Sequence, residues 1–323
     1  MTTETPPTGD TPQVVPPSSN PSVRPGFDPK HPHLRLEAAS LLTASEADRC
    51  YYIYQDRFIL HPNAKDALAA LKDIRNRPKG VRPPCLALIG GSNEGKSALI
   101  RKFLKDFEAV TDETVAGNTD QMRIVCVEMP PRATEPRTCL AIARAMGLPG
   151  YGSTKSRVVS DNVYRALKAK GVEMLILNEA QHAAHLSDRE RSVTCDLMKG
   201  ISNLGISVIT VGTPELGPML SHDVQIANRM RIVRLISFAK GESLSAFLNT
   251  LETFYPLPER SDLGSPELMA AVYHRTNGIT GEVVQLCNAA AVHAVRTKQP
   301  CITLELLRKT IMLPPASSGV VAA

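Results

Sequence analysis

The sequence predicts an α/β fold, a parallel sheet flanked by helices and followed by a small all-helical domain. Three observations predict it. Short apolar runs alternate with helical periods between residues 85 and 236. A glycine-rich loop joins the first of these runs to the helix after it. Beyond Lys240 the strand pattern stops and only helical periods remain.

The elements follow in order. Residues 1–32 hold nine of the 25 prolines and read as a disordered tail, too poor in apolar surface to repay ordering. Residues 33–80 form an N-terminal helical element. In it Ser45 caps a helix over residues 46–57, and Asn63 caps a second that runs to Arg75. The prolines and glycine within 76–84 break the chain. Residues 81–239 are the α/β core. Strands are expected at 85–89, 122–128, 174–177 and 206–211, with a fifth at 231–236. Helices are expected at 95–107, 138–146, 158–170 and 190–204. Residues 240–313 are the helical domain, with helices at 243–254, 266–276, 281–296 and 304–312, and residues 314–323 are frayed.

Composition narrows the classes. Of 323 residues 43% are apolar, enough for a sizeable core, and the net charge is +5. Aromatics are 4% and Trp is absent, which argues against a single-strand reader built on stacked rings. Seven cysteines form no CxxC pair, so neither a zinc site nor a disulfide framework is expected. No apolar stretch has membrane length and no secretory signal is recognisable; a cytoplasmic protein with no membrane partner is expected.

The chemistry begins at Gly90-Gly91-Ser92-Asn93-Glu94-Gly95-Lys96-Ser97, a full GxxxxGK[ST] match after a strand and at the start of a helix. Glycines let backbone N–H groups turn inward around phosphate oxygens, and the helix N-terminus adds partial positive charge. Lys96 would reach the β- and γ-phosphates of ATP, and Ser97 would ligate Mg²⁺. The third strand runs into Asn178-Glu179, where Glu179 is placed to polarise an attacking water. Asn178 stands where such strands carry the Asp of the metal shell, so slow hydrolysis is expected. His182 and His185 lack a third metal ligand and read as a polar pair. Thr213, at the end of the fourth strand, is either a γ-phosphate sensor or the N-cap of the helix begun by Pro214. Arg229, with Arg231 in reserve, is the candidate arginine finger toward a neighbouring subunit.

Taken together these segments resemble the TniB/TnsC group of AAA+ transposition regulators, from about Tyr54 to Met312. Residues 55–62 resemble the family element before the first strand, and residues 92–97 its T-N-N-G-K-S loop. Residues 171–176 and 179–182 are similar to its Walker B segment, Gly212-Thr213 and Asn228-Arg229 to its sensor and finger, and residues 278–282 to its G-x-I-G-E lid element. The resemblance implies an AAA+ core with a helical lid, ATP and Mg²⁺ as cofactors, and a homo-oligomeric ring or filament on double-stranded DNA. It also implies a DDE transposase and a TniQ-type targeting protein as partners, with hydrolysis driving disassembly. Two departures matter: Asn178 replaces the Walker B Asp, and Glu282 follows Gly281 where many AAA+ lids carry a sensing arginine.

Residues 131–170 carry eight basic side chains against two acidic ones, more than the whole chain's net excess. By resemblance the loop bearing Arg132 and Arg137, and the helix start bearing Lys155 and Arg157, line the DNA channel and touch phosphates without reading sequence. Two alternatives stay open: a nucleotide-gated DNA-binding scaffold with little hydrolysis, and another AAA+ class such as a replication loader.

Overall fold

The computed structural model describes residues 26–77, 83–114, 122–148, 156–221 and 223–311. Five strands, β1 (Cys85–Gly90), β2 (Ile124–Glu128), β3 (Met174–Asn178), β4 (Ser207–Gly212) and β5 (Met230–Leu235), form one sheet in the order β2-β3-β4-β1-β5. Every pairing is parallel, including that of the fifth strand. All six residues of β1 and of β4 are buried, because helices cover both faces. The pleat sorts their side chains. Ala87, Ile89, Leu175, Leu177 and Val208 enter one apolar cluster, and Leu86, Leu88, Ile176, Ile209 and Val211 enter the other. Each fully buried Leu or Ile contributes about 2 kcal/mol.

The helices before and within the sheet region are α1 (Leu36–Ser40), α2 (Glu46–Tyr54), α3 (Pro62–Asn76), α4 (Lys96–Thr114), α5 (Glu135–Ala145), α6 (Ser156–Ala169), α7 (Asp188–Asn203), α8 (Leu216–Ser221) and α9 (Val224–Ala227). The C-terminal bundle adds α10 (Glu242–Glu252), α11 (Pro266–Thr276), α12 (Thr280–Arg296) and α13 (Leu304–Lys309). Ser45 caps α2 by accepting from Asp48 N. Asn63 does not cap α3: Pro62 occupies the first turn, where its missing N–H is no loss, and Asn63 donates instead to the Ile236 carbonyl at 3.2 Å. α7 starts two residues before the expected 190 because Ser187 and Glu190 form a capping box.

The segment 33–80 feeds two different cores. Ile53 of α2 is fully buried among bundle residues such as Leu248, Leu286 and Val283, and Arg49 donates through Nε and Nη2 to the Pro256 carbonyl. Ala67 and Leu71 of α3 instead pack on the sheet. The chain therefore passes between bundle and sheet region at residues 55–61 and again at 236–241. The expectations for residues 1–25 and 312–323 lie outside the described residues. Among the described residues no helix is long and apolar enough to cross a membrane.

Candidate nucleotide-binding site

In a parallel sheet the carboxyl ends of the strands share one edge, and functional loops gather there. β1 ends in the glycine loop, β3 in Asn178-Glu179 and β4 in Gly212-Thr213, and β4 lies between the other two. The sheet order thus brings together three loops that are about 120 residues apart in sequence at their extremes, a spread the parallel crossovers close.

The loop after β1 turns on Asn93 and Gly95, both left-handed with φ of 64° and 84°. Its backbone N–H groups from Gly91 to Gly95 donate to no backbone carbonyl among the described residues. Lys96 is 8% exposed, and its Nζ donates to the carbonyls of Gly90 at 2.9 Å and Gly91 at 2.7 Å. Burial lowers the Lys96 pKa, while the carboxylates of Glu179, Glu94 and Glu215 oppose the shift. An anion seated in the loop would meet a nest of free N–H donors and an ammonium already turned inward.

Asn178 presents a buried side-chain Oδ1 with no hydrogen-bond partner, while its backbone carbonyl accepts from Met129 N at 2.8 Å. A buried orphan acceptor at the carboxyl end of β3 is a group that a metal-bound water would satisfy, so the residues fit Mg²⁺. Ser97 stands exposed in the first turn of α4. Glu179 holds a left-handed backbone, φ 56°, a conformation that costs a non-glycine residue about 1 kcal/mol.

Gln181, which follows in a 3-10 turn, was not singled out in the sequence. Its Nε2 donates to Glu179 Oε2 at 2.6 Å, and its Oε1 accepts from Thr213 N at 3.3 Å. A Cβ on Gly212 would lie 2.6 Å from that Oε1, so glycine is needed for the approach. One amide thereby ties the carboxylate after β3 to the end of β4. The Thr213 hydroxyl pairs with the Glu215 carboxyl and helps hold its pKa low. α8 starts at Leu216, so Thr213 is not its side-chain cap. His182 Nδ1 bonds the Met129 carbonyl at 2.9 Å, and among the described residues no group of three His, Cys, Asp or Glu could hold a metal.

Arg229 lies at the opposite edge of the sheet. Its carbonyl accepts from Cys85 N at the start of β1. The length of β1, about 16 Å at roughly 3.3 Å per residue, separates it from the glycine loop of its own chain. Its Nη1 donates to Ser202 Oγ at 3.3 Å and Asn203 Oδ1 at 3.0 Å, both at the C-terminal end of α7. Arg231 is exposed on β5. Arg132, left-handed at φ 54°, and Arg137 are exposed around the turn after β2, where Arg137 Nη1 donates to the Pro131 carbonyl at 3.0 Å. Lys155 lies outside the described residues, and of Arg157 only its place in the first turn of α6 is described.

A cavity of about 250 Å³ opens beside the glycine loop. Phe58, Ile59 and His61 line it from the 55–61 crossing, Gly95 from the loop, and Thr280 and Val284 from the bundle. Its apolar walls and polar rim suit a flat heteroaromatic base next to the phosphates.

The family model described as "Bacterial TniB protein" matches residues 49–240. The chain belongs to the TniB family. The match ends where the bundle begins, so the helices of the TniB-family chain from α10 onward lie beyond it. No curated protein matches the sequence. Solved structures share the fold over four fifths of the chain or more. The Aeropyrum pernix ORC1 protein, solved in complex with DNA, superposes with a TM-score of 0.61 at 16% identity over 81% of this chain and 68% of that one. Pyrobaculum aerophilum Cdc6p gives 0.57 at 16% identity, covering 80% and 69%. A chain of Drosophila ORC bound to DNA gives 0.53 at 14% identity, covering 93% and 70%. This TniB-family chain therefore shares the fold of these ORC1 and Cdc6 chains, an α/β core with a glycine loop after its first strand and a C-terminal helical bundle.

Proposed function

We propose that this protein is an ATP-dependent regulator of DNA transposition that binds Mg·ATP at the carboxyl edge of its sheet and assembles on double-stranded DNA. One observation carries the nucleotide half. Lys96, the free N–H groups of the glycine loop and the unpaired Oδ1 of Asn178 sit at one sheet edge in a TniB-family chain. In this reading the triphosphate takes the Gly90 and Gly91 carbonyls' place on Lys96, and the base enters the cavity beside Phe58 and Ile59. Ser97 Oγ and Asn178 Oδ1 are the groups that would hold Mg²⁺, which supplies neutralisation of the β- and γ-phosphate charge. Glu179 orients and deprotonates the attacking water, Thr213 reads the γ-phosphate, and Arg229 serves the site of the next subunit. Its distance from its own glycine loop supports action in trans and hence a homo-oligomer, ring or filament.

Arg132 and Arg137, with Lys155 and Arg157, are the proposed contacts to DNA phosphates. A DDE transposase and a TniQ-type protein are the proposed partners of the assembled form, and hydrolysis its means of disassembly. The bond from Gln181 to Glu179 favours a second reading. With the base engaged and Asn178 uncharged, the protein acts as a nucleotide-gated scaffold with very slow turnover.

The test is binding of a fluorescent ATP analogue, followed by negative-stain imaging with duplex DNA under ATP, a non-hydrolysable analogue and ADP. Wild type should bind, and Lys96→Ala should not. ATP-dependent filaments without phosphate release would select the scaffold reading. Filaments absent in every nucleotide state would sink the assembly proposal.

A further inference from the structure

The glycine loop does more than present N–H groups. α12 is a 17-residue helix whose N-cap, Ile279, makes no side-chain capping bond. Its first turn therefore needs partners from elsewhere. The glycine loop provides them. Gly281 N donates to the Asn93 carbonyl at 2.8 Å, and Thr280 Oγ1 donates to Glu94 Oε2 at 3.3 Å. The other carboxyl oxygen of Glu94 accepts from Ser237 Oγ, in the crossing between β5 and α10. Glu94 is 5% exposed, an unusual depth for a carboxylate. A Cβ on Gly281 would collide with the Asn93 side chain, so the contact also requires that glycine.

We infer that Glu94 is a positioning residue that ties the orientation of the bundle to the conformation of the glycine loop. Its two oxygens hold both the crossing that leads into the bundle and the helix that returns to the site. The lid position where an arginine could sense phosphate carries Gly281-Glu282, so no side chain there does this work. Instead, the residues whose N–H groups would wrap a phosphate are the same residues whose oxygens hold the first turn of α12, Asn93 through the Gly281 N–H and Glu94 through the Thr280 hydroxyl. When an anion turns the N–H groups inward, Asn93 and Glu94 rotate with them, and the first turn of α12 loses or exchanges its bonds to the loop. Loop occupancy is thereby transmitted to the bundle through shared atoms. The coupling rests on the nucleotide-binding proposal; the tie itself does not.

Hydrogen exchange of the full chain, read by mass spectrometry, tests both parts. In the nucleotide-free protein, Glu94→Ala should speed exchange in the first turn of α12 by roughly tenfold, because the carboxylate's bonds to the Thr280 and Ser237 hydroxyls are lost together. The second half of α12 and the sheet should be unaffected. Glu94→Gln, which keeps an oxygen for one hydroxyl, should restore most of the protection, and Thr280→Val added to Glu94→Ala should change nothing further. Mg·ATP should alter first-turn exchange in wild type and leave it unaltered in Glu94→Ala, a difference that simple loss of stability does not produce. Unchanged first-turn exchange in nucleotide-free Glu94→Ala overturns the tie, as does an equal rise over the whole bundle in both Glu94 variants. A wild type whose α12 exchange is indifferent to Mg·ATP although the fluorescent analogue binds overturns the coupling, whereas failure of the analogue to bind overturns the nucleotide proposal and leaves the nucleotide-free comparison as the test of the tie.

Discussion

Replacing Gly278 with alanine should break the seating of the bundle on the crossing after β5. Gly278 has φ +73°, which costs an alanine about 1 kcal/mol. Its new Cβ would overlap the Phe238 carbonyl oxygen and lie 3.0 Å from the Phe238 carbonyl carbon and 3.2 Å from its nitrogen. Backbone cannot rotate aside as a side-chain tip can. The turn must move away, which breaks the Phe238 N to Gly278 O bond of 2.8 Å, worth about 1 kcal/mol or more when buried. Phe238 is buried between His61 and Phe247, with ring centroids at 5.0 and 4.8 Å, and each such pair is worth about 0.5–1.5 kcal/mol. The expected loss is about 3–5 kcal/mol. Urea denaturation followed by circular dichroism should show a lower midpoint with an unchanged slope. Gly217→Ala is the control, since it lies within α8 and a Cβ there makes only an ordinary 3.7 Å contact with Ile89 Cδ1, which should cost no more than about 0.5 kcal/mol. If Gly278→Ala unfolds within that margin of wild type, the steric reasoning is wrong.

Three further outcomes are expected. Arg229→Ala should keep equilibrium nucleotide binding but lower turnover of the assembled protein by about 10³-fold; mixing it with Lys96→Ala protein should restore activity if the arginine acts in trans. Asn178→Asp should raise Mg²⁺-dependent turnover by roughly tenfold, as a full charge joins the metal shell, and equal turnover of the two proteins would show that the amide suffices. The anchor of α9 should be acid-sensitive. Lys199 holds the Asp223 carboxyl below its ordinary 3.8, so the stability it gives is present above about pH 4 and is lost as pH falls through the lowered value. Lys199, raised above 10.5 by Asp196 and Asp223, keeps its share until pH rises past that value. Amide protection of α9 measured by NMR should therefore be flat from about pH 5 to 10 and fall in acid.

The parts of this molecule that could be read in advance are those encoded by neighbours in the chain. The glycine loop is a contiguous motif between a buried strand and a helix, and its Lys96 turns inward as its type requires. The strands announced themselves because burial on both faces leaves unbroken apolar runs such as residues 85–89. The Ser187–Glu190 box is equally local, a serine three residues before a glutamate. What stayed hidden depends on partners far away. Nothing around Ile53 says that its helix joins the bundle and not the sheet. Gln181 looks like any polar residue until Gly212 makes room for it. The roles of Glu94 in tying α12 to the glycine loop, and of residues 55–61 in walling the cavity beside it, arise only when the bundle docks.

The partnership of α2 with the bundle bears on how the protein is made. Arg49 and the Pro256 carbonyl it grips are 207 residues apart. A chain leaving the ribosome at about 5–20 residues per second finishes the sheet and its covering helices first. α2 must wait, its apolar Ile53 and Cys50 uncovered, until α10 and α12 emerge. A fragment cut at the family boundary of residue 240 would retain α2 and lose the bundle helices that cover Ile53. Such a fragment should be sticky where the complete protein is not. Helper chaperones should engage the nascent chain over that interval and let go once the last helices have arrived.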